Sequence, residues 1–182
     1  DALYHLRPED RQVLWANRWA LTQVPHALPL VLKSVNWRSA ADVREVYHLL
    51  HLWKTPGPIT ALQLLDQQLP DPKVRAYAVQ CMEKMTDEEL QVHMLQLTQV
   101  LKNEPFHDSA LARFLLRRAL LKPRRIGHVL FWLLKSEMHV KDVAARYGVL
   151  LEVYLHNCGP HRGELGHQMF VMRKLEQVAL QL

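Results

Sequence analysis

RIGHVLFWLLKSEMH, running from Arg125 to His139, is the stretch whose reading decides the fold. Ile126, Val129, Leu130, Leu133 and Leu134 recur at helical spacing on one face, while Phe131 and Trp132 load the opposite face. Two neighbours must therefore cover this helix, which makes it the spine of a stack. Such a member points to an interaction scaffold and not to an open enzyme cleft. Gly127 reads as a close helix crossing, and His128 beside it as a donor within the packed spine.

Outward from the spine, helical period dominates, no run alternates convincingly at the strand period, and Pro and Gly punctuate the helices at short intervals. Pro8-Glu9-Asp10 opens a first helix carrying Val13, Leu14 and Trp15 towards Leu21, with Pro early and acids in the first turn. A short second helix spans Ala27 to Val35, Ser39 caps a third, and a fourth runs from Ile59 to Gln68. Asp71-Pro72 reads as a cap followed by Pro at the first helical position, launching Val74, Tyr77, Ala78, Cys81, Met82 and Met85 on one face. Thr86-Asp87-Glu88-Glu89 has the form of a capping box before Leu90, Met94, Leu97 and Leu101. Asp108-Ser109 caps the next helix, and after the spine come Val140 to Asn157 and a last helix with Met169, Met172, Leu175 and Val178. The five Trp and that Met-bearing helix could line a ligand groove, but filling core is the expectation.

About ten helices joined by short loops predict an all-α fold: an irregular right-handed superhelix of about five antiparallel hairpins, an α-α solenoid of HEAT or armadillo type with a period near 40 residues. At 182 residues, a single domain covering 1–182 is the default, and a start at Asp1 reads as a piece of a longer polypeptide. Two cysteines give no disulfide framework and fit a reducing cytoplasmic compartment. The apolar core of the spine is far short of a membrane span.

The net charge of +5 is mild, because 18 acidic residues are mixed among 23 basic ones, which argues against a nucleic-acid binder. The excess gathers at Arg117, Arg118, Lys122, Arg124 and Arg125, a basic patch suited to an acidic partner. The simpler reading is a helix end complementing its dipole. A free-standing helical module binding acidic peptides through that patch is the alternative function. His156, Cys158, His161 and His167 match no usual zinc spacing, so no metal is expected. Cys81 lies on an apolar stripe as a core residue, and Asp66 and Asp71 read as a helix end and the next cap. No catalytic or cofactor-binding residue is assigned.

Ordered blocks beyond the spine carry a resemblance: Leu64-Leu65-Asp66 with Pro70-Asp71, Val74-Arg75 with Ala78-Val79, Thr86 to Leu90, Leu95-Gln96-Leu97, Gln99 to Lys102, and Arg113 to Leu116. With Arg125, Ile126, Gly127, His128, Phe131 and Trp132 they resemble the helical (PIK) accessory domain of class I phosphoinositide 3-kinase catalytic subunits. The resemblance implies a scaffold on which a Ras-binding domain, a membrane-binding β-sandwich and a lipid kinase pack. It also implies a cytoplasmic parent, recruited to the inner face of the plasma membrane, that uses ATP and magnesium to phosphorylate an inositol ring. This chain has no Gly-rich phosphate loop, catalytic-loop Asp and Asn, or Asp-Phe-Gly triplet of its own.

In alpha-type relatives an acidic stretch before the first long helix meets a regulatory subunit. Placing Trp15 on the family's Trp puts the two main acids at His5 and Pro8, neither acidic; Glu9 and Asp10 keep negative charge one step away, so His5, Pro8, Glu9 and Asp10 are the candidate regulatory interface, although the simpler role of the two acids is first-turn dipole complement. A gamma-like adaptor or a G-protein βγ dimer becomes the implied partner. Asp108 to Arg113 and Tyr154-Leu155 with Cys158-Gly159 look gamma-like, whereas Ser136 to His139 looks alpha- or delta-like.

Overall fold

Short polar caps set where the helices begin. In the computed structural model, which describes residues 6–180, the Ser39 hydroxyl accepts the Asp42 amide and the Asp71 carboxylate accepts the amides of Lys73 and Val74. Each cap satisfies amides that the first turn leaves without a partner. Ten α-helices follow in order among the described residues: α1 (Pro8–Ala16), α2 (Leu28–Lys33), α3 (Ala40–Leu52), α4 (Pro58–Gln63), α5 (Pro72–Met82), α6 (Asp87–Val100), α7 (Ala110–Leu121), α8 (His128–Glu137), α9 (Lys141–Asn157) and α10 (His161–Ala179). Short 3₁₀ turns and one π turn join some of them, and no strand occurs among the described residues. The fold is all-α.

Two compact units are present, one made of the chain up to Thr86 together with Asn103–Leu111, the other of Asp87–Lys102 with the chain from Ala112 onward. In the first, Val31, Val46, Leu49, Ala61, Leu64, Leu69, Val74 and Ala78 form a closed apolar core. Two helices here are shorter than their apolar periodicity suggests. The first, expected to reach Leu21, stops at Ala16: Asn17 Nδ2 donates to the Val13 carbonyl (2.8 Å) and Arg18 Nη1 to that of Trp15 (2.5 Å). Arg18 is pulled there because it also grips Glu45 (2.6 Å) and stacks on the Trp15 ring. The fourth, expected to reach Gln68, stops at Gln63. The Leu65 carbonyl, which in a continued helix would take the Leu69 amide, instead accepts the Arg75 guanidinium (3.1 Å).

The second unit is built on α8. Ile126, Gly127, Leu130, Phe131 and Leu134 are buried and Val129, Trp132 and Leu133 half-buried, so the spine is covered on more than one side, with α6 and α9 as its packed neighbours. Trp132 Nε1 donates to Gln168 Oε1 of α10 (3.3 Å), and the Tyr147 hydroxyl of α9 donates to the Thr98 carbonyl of α6 (2.8 Å). Burial raises the Tyr147 pKa to about 12, so that hydroxyl remains a donor at any physiological pH. The last helix departs from expectation. His161 and Leu165 are buried and Met169 half-buried, but Met172, Leu175 and Val178 are 54%, 61% and 57% exposed, because the described residues offer α10 no cover beyond Met169.

Candidate functional site

The segment joining α7 to α8 departs from the α-helical winding on either side of it. Pro123 has no amide to give, and Pro123–Gly127 winds as a π turn in which the Lys122 carbonyl gathers the amides of Arg125, Ile126 and Gly127 at 3.2, 2.9 and 3.1 Å. Gly127 sits against α9. A Cβ there would run into the Tyr154 hydroxyl, lie 2.7 Å from its Cζ and come 2.9 Å from the Ala119 carbonyl oxygen. Only hydrogen fits, which is the close crossing that the glycine implied.

The fully buried Tyr154 hydroxyl shares a 2.9 Å hydrogen bond with His161 Nδ1 and reaches the Pro123 carbonyl at 3.4 Å. Burial holds the His161 pKa below its ordinary value, opposed by Glu164 and assisted by His128 and Arg124, so this imidazole stays neutral at neutral pH. The His128 ring packs edge-on to Trp132 and 6.0 Å from the His161 ring. Cys158 and His161 border an apolar hollow of about 380 Å³ beside Pro123. Among the described residues, no three His, Cys, Asp or Glu side chains gather as metal binding would need.

Arg118, Arg124 and Arg125 of the basic patch lie in ion pairs with carboxylates distant in sequence. Arg118 meets Asp87 (2.6 Å), Arg124 meets Glu164 (2.6 Å), and Arg125 meets Glu88 (2.7 Å) while also donating to Gln91. The Asp87 carboxyl is held below the usual range by the Arg118 hydrogen bond, and Glu164 by that of Arg124. Arg117 and Lys122 are exposed. The patch therefore offers a partner less free charge than its sequence suggests, since Asp87 and Glu88 of α6 and Glu164 of α10 face it.

Of the acidic-stretch positions, His5 lies outside the described residues. Pro8 and Glu9 are exposed in the first turn of α1, and Asp10 accepts the Arg7 amide (3.0 Å). That contact closes the first turn, as a dipole complement does. Asp71, besides capping α5, accepts the Tyr47 hydroxyl (2.8 Å), and Asp66 accepts Lys33 Nζ (2.8 Å) and the Gln68 amide. Cys81 is buried on α5, and burial pushes its thiol pKa up, away from nucleophile chemistry.

Two polar arrangements escaped the sequence reading. Arg75 is 2% exposed and donates from Nε and Nη2 to Glu104 Oε1 (2.9 and 2.7 Å) and from Nη1 to the carbonyls of Leu65, Asp66 and Leu69. Its position in the sequence held a clue, since Arg75 shares the helical face of Ala78, Val79 and Met82, where an unpaired guanidinium could not stay. In the other unit, Glu137 receives Lys102 Nζ (2.9 Å) and the Gln99 amide, which together hold its carboxyl below the ordinary glutamate range. No pattern in the sequence joins these residues across the intervening helices.

Guanidinium groups fasten helices to one another, a tyrosine fills the space of a missing Cβ, and the apolar side chains of α10 beyond Met169 are left exposed. That organisation defines an all-α domain without strands among the described residues. Residues 1–166 match the accessory domain (PIK domain) of the phosphoinositide 3-kinase family, and the chain belongs to that family. It is 46% identical over 179 residues to Phosphatidylinositol 3-kinase 1 of Dictyostelium discoideum, covering 98% of this chain and 11% of the relative. It is 42% identical over 180 residues to Phosphatidylinositol 3-kinase 2 of the same organism, covering 99% and 10%. The chain thus spans about a tenth of the length of these curated relatives. Among the described residues no helix is long and apolar enough to cross a membrane.

Proposed function

We propose that this chain is a single, non-catalytic accessory domain in a larger multidomain kinase, whose other domains phosphorylate the inositol ring of phosphoinositides with ATP and magnesium. Its helices serve as a stiff frame against which the Ras-binding, membrane-binding and kinase domains pack, and the hairpins stack in a HEAT-like right-handed superhelix. The observation that carries this reading is α10. Phe170, Met172, Leu175 and Val178 are 54–61% exposed, an apolar load that a helix in water does not ordinarily present unless another surface covers it. The parent works in the cytoplasm and at the inner face of the plasma membrane, and it takes input from an adaptor subunit or G-protein βγ. The paired arginines of the basic patch favour this reading over a free-standing module that binds acidic peptides through that patch.

The test is the double substitution Phe170→Ser with Leu175→Ser, made both in this chain and in the full-length kinase. Both side chains are exposed here, so the Tm of this chain is expected to stay within a degree or two, surface changes being worth about 0.5 kcal/mol or less. In the full-length enzyme the same pair is expected to lower both Tm and phosphoinositide phosphorylation. Unchanged Tm and activity in the full-length enzyme would remove α10 from the packing surface. Magnesium-dependent ATP turnover by this chain alone would overturn the non-catalytic assignment.

A further inference from the structure

A second apolar surface lies on the other side of α10. With 3.6 residues per turn, Arg162, Gly166 and Met169 fall on one side of the helix, opposite Val171, Leu175 and Val178. On that side α8, α9 and α10 enclose a groove of about 250 Å³, floored by Phe131, Leu151 and Leu165 and edged by Lys135, Arg162 and Gly166. The floor is well formed: those three residues are 4%, 8% and 1% exposed. The volume is below that of ordinary small-molecule pockets, about 300 to 1,000 Å³, and suits one or two large apolar side chains.

Its edge carries unbalanced charge. Arg124, Arg125 and Arg118 are all paired with carboxylates, but among the described residues neither Lys135 nor Arg162 has an ion-pair partner. The nearest acid of the α10 first turn, Glu164, is held by Arg124 on another face. Arg173, one turn beyond Met169, extends the same line of positive charge. At Gly166 a Cβ would meet nothing within 4 Å, so the lip is low where another backbone could approach.

We propose that this groove receives an acidic amphipathic helix from a partner chain, with a Leu or Phe anchor seated over Phe131, Leu151 and Leu165 and carboxylates reaching Lys135 and Arg162. Helix-in-groove recognition uses apolar anchors at i, i+3 or i+4 and i+7, and the lining positions of α10, from Arg162 to Met169, cover the same seven-residue interval. Charge complementarity selects the acidic occupant, because a basic helix would bring like charges to both edges. The proposal is independent of the kinase reading, since the groove uses neither the uncovered α10 face nor any reacting group.

The test uses the full-length polypeptide and a fluorescent synthetic helix of about 14 residues, Leu-anchored on one face with Glu flanking the anchors, read by anisotropy. Two control peptides replace Glu by Lys or scramble the Leu spacing. Wild-type protein is expected to bind the acidic helix at least about tenfold more tightly than either control. Gly166→Leu, which places its side chain across the lip from an unobstructed Cβ, is expected to weaken binding by about tenfold with no loss of Tm. Lys135→Glu with Arg162→Glu is expected to transfer the preference to the Lys peptide. Equal binding of all three peptides, no binding to wild-type protein, or wild-type affinity in Gly166→Leu overturns the proposal. Lipid phosphorylation by Gly166→Leu is expected to equal that of wild type, which separates a failure here from a failure of the kinase reading.

Discussion

Arg75→Met is the substitution from which most can be learned. Met keeps the length and apolar stem of the arginine but removes five N–H···O contacts: two to Glu104 and three to the carbonyls of Leu65, Asp66 and Leu69. Glu104, 5% exposed, is then a buried carboxylate without its counter-charge, a change that costs about 3 to 5 kcal/mol in comparable pairs. The Asp66 carbonyl keeps the Leu69 amide, but the buried carbonyls of Leu65 and Leu69 lose their donor and add about 1 kcal/mol each. The expected total, about 5 to 7 kcal/mol, is at least a third of the whole stability of an ordinary domain. Converting the partner as well, in Arg75→Met with Glu104→Leu, removes the stranded charge and is expected to leave only the carbonyl penalty, about 2 kcal/mol. The double variant should thus be more stable than the single one by about 3 to 5 kcal/mol. Urea unfolding followed by tryptophan fluorescence measures it, because Trp15, Trp19, Trp37 and Trp53 all belong to the unit that holds the pair. A single variant that loses less than about 1 kcal/mol, or a double variant no better than the single, would refute the reasoning.

Gly127→Ala forces its methyl onto Tyr154 and within 2.9 Å of the Ala119 carbonyl, so it is expected to cost about 1 to 3 kcal/mol despite alanine's better helix propensity. Adding Tyr154→Phe removes the hydroxyl clash but not the 2.7 Å approach to Cζ, and recovery in a thermal melt should be partial; full recovery would show that the backbone carbonyl gives way. His161, kept neutral chiefly by burial, has its pKa below the ordinary value of 6.5. The folded state then binds less proton than the unfolded one, so stability is complete above about pH 6.5 and falls as the pH drops towards the folded pKa. Tm measured across that range should decline in wild type and less steeply in His161→Gln; parallel curves would remove His161 as the cause.

The sequence showed most where local physics decides. Caps at Ser39 and Asp71, the spine at 125–139 and the glycine crossing at 127 each depend on groups a few residues apart or on a single missing side chain, so spacing alone reveals them. Where two distant segments compete for one backbone carbonyl, it showed less. Past the end of the fourth helix Arg75 takes the Leu65 carbonyl, and past the end of the first Arg18 answers Glu45 as well as Trp15. The basic patch is the same lesson in electrostatics, since five cations close in sequence looked available until the fold brought Asp87, Glu88 and Glu164 to three of them. The last helix misled for a third reason. Its apolar period is real, but periodicity says that a face must be covered and not by what.

The π turn at Pro123–Gly127 also limits how this chain can change in length. Its wider winding sets the rotational phase in which α8 leaves α7, and each residue of a helix advances about 100° around the axis. Removing one residue from the turn would swing Leu130, Phe131 and Leu134 by that angle, delivering Phe131, Trp132 and Lys135 to the places they held. The number of residues here is therefore held as tightly as their kind, and a one-residue deletion would do more harm than most substitutions within it.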